Sequence, residues 1–174
     1  MFRLSKITDY GIVILADMAK HALDTDVAVE RPTRHESFTA RELAEHVELP
    51  MPIVSKVLKS LARGGILDSQ RGSKGGYALA YRPDEINVAD MITALDGPLA
   101  LTQCAEGPAI CDLETSCSIR NPWQVINQVV HYALASITLA DLINPDFIDH
   151  MGPISRLGVL ARASRGSEEI GEVQ

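Results

Sequence analysis

The chain has 174 residues, 46% of them apolar, which is enough to bury a core in one domain with additions. No apolar run reaches the roughly 18 residues of a clean membrane span, and the N-terminus lacks the order of a signal peptide. We therefore expect a cytoplasmic protein with no membrane partner. The net charge of −7 argues at first against a nucleic-acid partner.

The distribution of charge is more informative than its sum. Residues 1–85 carry 12 basic and 12 acidic side chains, whereas residues 86–174 carry 4 basic and 11 acidic ones. Residues 50–82 alone hold six basic side chains and one acidic side chain. The sequence therefore places a basic patch inside an otherwise acidic protein.

Two helices are predicted before this patch. Apolar residues recur at helical spacing over residues 4–21, and a polar stretch with a proline predicts a loop over 23–37. The segment "TARELAEHV" then opens with Thr39 and Glu42 in capping-box spacing. We expect a short helix from there to about residue 47.

The segment "ELPMPIVSKVLKSLARGGI" predicts a third helix, with Pro52 in its first turn and Gly64 and Gly65 at its end. One face of this helix is an apolar stripe made of Ile53, Val54, Val57, Leu58 and Leu61. The opposite face carries Pro52, Ser55, Lys56, Lys59 and Arg63. One side should therefore pack on a core and leave a small, polar and cationic side free.

Two strand-like runs, Ile66–Gln70 and Tyr77–Tyr81, flank a glycine-rich turn and predict a hairpin. Arg71 and Lys74 would lie at its tip. Further along, Asn87 can cap a helix over "VADMITAL".

Two short helices followed by a basic hairpin indicate a winged helix-turn-helix that binds double-stranded DNA. Ser55 and Lys56 are placed to reach base edges, while Lys59 and Arg63 suit phosphates. Arg71 can enter a minor groove, where negative potential is concentrated. The predicted DNA-binding residues are Pro52, Ser55, Lys56, Lys59, Arg63, Arg71, Ser73 and Lys74. The plainer alternative is a solvated helix face beside an ordinary turn.

A long apolar helix is predicted from Pro122 to about Ser136. Its apolar residues cover more than one face: Val125, Ile126, Val129, Val130, Ala133, Leu134 and Ile137. The helix is either buried in its own domain or forms a homodimer interface. We favour the dimer, because a winged helix that reads a palindrome needs two copies.

All three cysteines lie in "CAEGPAICDLETSC", residues 104–117, with C-x6-C-x5-C spacing. An odd count disfavours a secreted disulfide scaffold. Structural zinc sites usually contain C-x2-C pairs, whereas loops of this length can wrap a larger body such as an iron–sulfur cluster. A disulfide redox switch and buried, unligated thiols stay open as alternatives. A thiol enzyme is disfavoured, because no catalytic motif surrounds a cysteine.

Several segments resemble a known family: "LSKITDYG", "VSKVLKSLARGGIL", "RGSKGGYALA", "ITLADL" and the cysteine segment. They resemble the Rrf-type (BadM-like) winged-helix regulators, which include the Isc regulator and the rhizobial iron regulator. The resemblance covers residues 1–143 and is greatest to the branch that regulates the Suf cluster-assembly system. It implies a homodimer that holds an iron–sulfur cluster on Cys104, Cys111 and Cys117. It also implies repression at promoters of iron–sulfur cluster assembly or iron homeostasis genes, and no enzymatic activity.

The fourth cluster ligand departs from the family pattern. The Isc regulator has a histidine three residues after its last cysteine, where this chain has Arg120, which cannot act as a ligand. In some relatives an acidic residue of the first helix reaches the partner's cluster, and Asp9 sits at that position. We expect Asp9 as fourth ligand and a 4Fe-4S cluster in preference to 2Fe-2S. The alternative ligands are Asp112, Glu114, Glu106, His131 and an exogenous thiol.

The predicted fold is mainly α with a small β-hairpin wing, a winged helix-turn-helix domain plus a long dimerisation helix. Residues 1–85 form the DNA-binding domain, 86–121 a linker helix and the cysteine loop, and 122–143 the dimerisation region. Residues 144–174 form a mobile tail. The alternative functions are a zinc- or thiol-redox-responsive winged-helix regulator and a ligand-binding repressor with incidental thiols.

Overall fold

The computed structural model describes residues 4–24, 37–70, 72, 75–107, 110–113 and 115–147. Its elements are α1 (Lys6–Asp24), α2 (Ala40–His46), α3 (Met51–Arg63), β1 (Leu67–Gln70), β2 (Gly76–Leu79), α4 (Val88–Asp96), α5 (Gln103–Glu106), α6 (Arg120–Ala135) and α7 (Leu139–Ile143). A mainly helical chain with one antiparallel hairpin confirms the predicted fold class. Most of the predicted mobile tail, from residue 148 on, lies outside the described residues.

The apolar stripe of α3 forms the centre of the core. Four of its side chains are completely buried: Val54, Val57, Leu58 and Leu61. They pack with α1 and α2 and with buried residues of the hairpin. Each such side chain contributes about 1.5–3 kcal/mol by leaving water, so this stripe fixes the orientation of α3.

The helix-turn-helix is held by a capping box at the start of α2. The Thr39 hydroxyl accepts from the Glu42 N–H at 3.2 Å, and the Glu42 carboxylate accepts from the Thr39 N–H at 2.7 Å. These hydrogen bonds to Thr39 hold the pKa of Glu42 below its ordinary value. In the turn to α3, Glu48 adopts a φ of 52°, a left-handed conformation that is uncommon for a residue other than glycine.

A third stretch of backbone pairs with β2 near the turn of the hairpin. Leu67 pairs with Leu79, and both are buried. Phe38 forms an isolated bridge with Tyr77, in which the two N–H groups donate across at 2.9 and 2.8 Å. A Cβ at Gly76 would lie 2.6 Å from the Phe38 carbonyl oxygen, so this close approach requires glycine.

Helix α4 packs against both α1 and α3. Its predicted cap is confirmed, because the Asn87 side chain accepts from the Asp90 N–H at 2.9 Å. At its other end, Asp96 accepts from the backbone N–H and the hydroxyl of Ser5, just before α1 begins. Partial burial disfavours the ionised form of Asp96, but hydrogen bonds from Ser5 and Thr8 outweigh it and lower its pKa.

Helix α6 begins at Arg120, two residues before the predicted start. Pro122 is tolerated because N–H groups in the first turn of a helix have no intrahelical acceptor. One side of α6 packs on α4, where Val130 and Leu134 contact a small buried cluster that includes Ile92. No helix among the described residues is long and apolar enough to cross a membrane.

We predict that Gly76→Ala lowers the free energy of unfolding by about 2 kcal/mol, because the added methyl group collides with the Phe38 backbone. Urea denaturation measures the change. Ser69→Ala is the matched control, since Ser69 is exposed in the same hairpin and should change stability by less than about 0.5 kcal/mol. Equal stability of wild type and Gly76→Ala would contradict the close approach.

A second prediction concerns pH. A lowered folded-state pKa means that Asp96 stabilises the fold above its ordinary pKa, and that this contribution is lost as pH falls through the folded-state value. Asp96→Asn should therefore cost about 1 kcal/mol at pH 7, allowing for solvent screening, and less at pH ~3. Denaturation at both pH values tests this. If Asp96→Asn lowered the free energy of unfolding by the same amount at both pH values, the charge of the carboxylate would not be involved.

Candidate functional site

The exposed face of α3 is cationic. Lys56, Lys59 and Arg63 are exposed, while the side chains of the opposite face are fully buried apart from the half-buried Ile53. Because residues three or four positions apart share a helix face, the three cations form one row along α3. Pro52 is exposed at the start of this row, and Ser55 is half-buried beside it.

The exposed face of α3 adjoins the hairpin. A shallow groove is lined by Lys56, Lys59, Ala62, Arg63, Ser69 and Tyr77, so the exposed face of α3 and the first part of the hairpin form one continuous surface. Within the described residues, ion pairs form at Arg41, His46 and Arg82, and none joins a cation of the α3 row to a carboxylate. The charge of this row is therefore available to an anionic partner.

Arg63 is the one cation of the row with an intramolecular hydrogen bond in the described chain, through its guanidinium to Ser60 at 3.2 Å. The predicted residues at the hairpin tip, Arg71, Ser73 and Lys74, lie outside the described residues. Their contacts with a minor groove stay predictions.

The cysteine segment lies against α6. Cys104 is on the short helix α5, which the sequence did not predict, while Cys111 and Cys117 lie in the turns that follow. All three thiols are half-buried and free of disulfide bonds. The Cys104 sulfur is 3.1 Å from the Thr102 hydroxyl oxygen. All three cysteine residues of the segment are therefore partly accessible to solvent.

Asn127 attaches the chain just before this segment to α6. Its carboxamide oxygen accepts from the Leu101 N–H at 3.0 Å, and its amide nitrogen donates to the Leu99 carbonyl oxygen at 3.1 Å. The sequence did not predict this role. Asn127 is one of several polar residues on α6, and the only available signal was the general rule that a polar side chain away from solvent usually has a hydrogen-bond partner.

An open cavity lies between the cysteine segment and α6. It is lined by Cys104, Ala105, Gly107, Arg120, Gln124, Asn127, Gln128 and His131. Arg120 and His131 thus face the same space as the Cys104 thiol. This cavity places a cation and an imidazole beside any group bound at Cys104.

The three sulfur atoms are not gathered as ligands of a single ion would be. In the described part of the chain, one group of three potential ligand atoms lies within 4.8 Å, and it contains no cysteine. Asp9 is exposed in the first turn of α1 and does not join the cysteines in such a group. In a 4Fe-4S cluster each cysteine binds a different iron, so a spacing wider than that of zinc ligands is compatible with such a cluster.

Helix α6 exposes several apolar side chains, together with the polar Gln128. Val125 and Tyr132 keep 59% and 46% of their surface accessible, and Trp123 and Ile126 are also exposed. The alternative to a dimer interface was burial of this helix within its own domain. Such burial is observed for only one side of the helix.

Comparison with known proteins agrees with this geometry. The profile of the Rrf2 family, described as iron-dependent transcriptional regulators, matches residues 4–145. The HTH-type transcriptional regulator IscR of Aliivibrio salmonicida is 26% identical over 134 residues, which cover 77% of this chain and 73% of the relative.

Two solved structures are similar throughout the described fold. CymR, the global cysteine regulator of B. subtilis, has a TM-score of 0.57 at 26% identity and covers 82% of this chain and 97% of its own. IscR of T. potens has a TM-score of 0.57 at 25% identity, and the match covers 87% of this chain and 93% of the IscR chain. With a winged helix-turn-helix, a cationic α3 and a profile match over most of its length, the chain belongs to the Rrf2 family of DNA-binding transcriptional regulators.

Proposed function

We propose that the protein is an iron–sulfur-cluster-sensing repressor of genes for iron–sulfur cluster assembly or iron homeostasis. The observation that carries the proposal is the position of Cys104, Cys111 and Cys117 on one segment. All three thiols are free and half-buried, and the segment packs on the helix that exposes an apolar face. Three thiolates form a soft ligand set, which favours iron–sulfur clusters and zinc over hard cations.

The proposed operator contact places α3 in a major groove. Lys56 with Ser55 would reach base edges, while Lys59 and Arg63 neutralise phosphates. Pro52 would lie near the DNA at the start of α3. The wing residues Arg71, Ser73 and Lys74 would add minor-groove and backbone contacts.

The proposed active form is a homodimer joined through the exposed side of α6. No Asp, Glu, Lys or Arg occurs between Arg120 and Asp141, so this helix can enter an interface without burying a charge. A two-fold symmetric pair of winged helices would read two half-sites of a palindrome.

The proposed cofactor is a 4Fe-4S cluster, with 2Fe-2S as the alternative. Cys104, Cys111 and Cys117 would hold it, with Asp9 of the partner subunit as fourth ligand. Arg120 borders the Cys104 cavity and would offset the negative charge of the thiolates. When bound, the cluster supplies sensitivity to iron and to redox conditions.

A continuous set of contacts leads from the cysteines to the DNA-binding helix. Asn127 holds the chain just before the cysteine segment on α6, α5 with Cys104 packs on α6, and α6 packs on α4. Helix α4 in turn meets the end of α3, where a Cβ at Gly64 would lie 2.4 Å from the Ala94 side chain. A change in the cysteine segment could thus alter the position of α3, provided that the ligand prefers one arrangement of the dimer.

A thiol-redox regulator is the second candidate. Free thiols and the structural similarity to a cysteine regulator favour it. Iron and sulfide content distinguishes the two functions, because a thiol switch needs neither.

We predict that Lys59→Ala and Arg63→Ala each weaken promoter binding and reduce the dependence of log K on log salt by about one unit, since each removes one phosphate contact and its released counterion. Fluorescence anisotropy at several salt concentrations measures both. Lys20→Ala, an exposed lysine on α1, is the matched control and should leave the slope unchanged. An unaltered slope in both α3 variants would contradict the proposed interface.

We also predict that protein purified without oxygen contains iron and sulfide, and that single Cys→Ala changes at positions 104, 111 and 117 each remove most of both. Promoter binding should then lose its dependence on iron. Ser116→Ala, an exposed side chain in the same segment, is the matched control. Iron content that does not fall in any of the three variants would exclude the cluster.

The fourth ligand is tested separately. Asp9→Ala should speed cluster loss in oxygen while Asp112→Ala, an exposed carboxylate inside the cysteine segment, should not. The opposite ranking would assign the fourth ligand to Asp112.

A further inference from the structure

A group of potential metal ligands lies where α1 meets the end of α2, on elements other than the cysteine segment. Asp17 and His21 are one turn apart on α1, and His46 is the last residue of α2. One ligand atom from each lies within 4.8 Å of the other two. Asp17 Oδ2 and His46 Nδ1 are already 3.2 Å apart.

The two imidazoles are held side by side by aromatic contacts. The rings of His21 and His46 stack with centroids 5.2 Å apart and an interplanar angle of 29°. Phe38 contacts both rings, with centroid distances of 5.4 and 6.0 Å. Asp17 and His21 are half-buried, while His46 is more exposed. The ligand atoms therefore lie on an apolar support with one side open to solvent.

The position of the three side chains is set by regular structure. Residues four apart on a helix share a face, which fixes Asp17 beside His21. Helix α2 is held by its capping box and by packing against α3, which fixes His46. Ligands carried on helices keep a better defined geometry than ligands on loops.

We propose that Asp17, His21 and His46 bind one divalent transition-metal ion, such as Zn²⁺ or Fe²⁺, with water at the open position. Two imidazole nitrogens and a carboxylate suit these ions, whereas Mg²⁺ and Ca²⁺ prefer oxygen ligands. Metal–ligand bonds of about 2.0–2.2 Å place tetrahedral ligand atoms roughly 3.4 Å apart. The Asp17–His46 separation already matches that value, and small side-chain rotations would bring in His21.

Such an ion would join α1 to α2, the first helix of the helix-turn-helix. Since the ion binds the folded chain and not the unfolded one, its binding should raise the melting temperature. The site contains no cysteine, so its metal binding can be tested separately from the proposed iron–sulfur cluster.

The test uses the full-length chain with Cys104, Cys111 and Cys117 all changed to Ser, which removes the competing thiolates. Calorimetric titration with ZnCl₂, and with Fe²⁺ under anaerobic conditions, should show one saturable equivalent and a higher melting temperature. His21→Gln and His46→Gln in this background should each weaken binding by at least about 100-fold, since loss of a direct ligand costs more than loss of a supporting contact.

His131→Gln is the matched control, because it removes a histidine on α6 and should leave affinity unchanged. Co²⁺ provides a second readout, since ligation by this site should give visible d–d absorption that both site variants lose. Absence of a saturable equivalent would overturn the proposal. So would undiminished affinity in both variants, provided that circular dichroism shows them to be folded.

Discussion

The burial of the α3 stripe is the interaction on which the rest of the molecule depends. Val54, Val57, Leu58 and Leu61 have no exposed surface, so α3 has one orientation relative to α1 and α2. The cations on its other side then point away from the core as a consequence of helical geometry. Hydrophobic packing, not attraction between charges, thus sets the position of the cationic surface.

The second half of the chain is built on a smaller core. Val88, Ile92 and Leu99 form its buried part, with side chains of α6 packed over it. Helix α4 contributes to both cores, since Met91 packs with the first. A helix shared by two cores is a physical connection between the cysteine segment and α3.

Much of the DNA-binding half could be predicted from local sequence signals. The capping box at Thr39 and Glu42, the stripe of α3 and the Asn87 cap are patterns whose partners lie within a few residues. The hairpin was predicted, although the observed strand ends differ from the predicted ones by up to two residues. The predicted domain boundaries and site assignments stay predictions.

What the sequence could not reveal depends on distant partners. The Phe38–Tyr77 bridge joins residues 39 positions apart in the chain, and the Asn127 contacts span 26 and 28 positions. Helix α5 is a single turn without a side-chain cap, so it has no periodicity to detect. The grouping of Asp17, His21 and His46 likewise arises only when α1 and α2 pack together.

Phe38 connects features that are otherwise separate. Its backbone pairs with Tyr77 of β2, and its ring packs against His21 and His46. Phe38 takes part in both the hairpin and the contact with the two histidines, so the two features are thermodynamically coupled. A change that orders one of them lowers the entropic cost of ordering the other. The rigidity of the wing is therefore a property of the α1–α2 junction as much as of the hairpin's own hydrogen bonds.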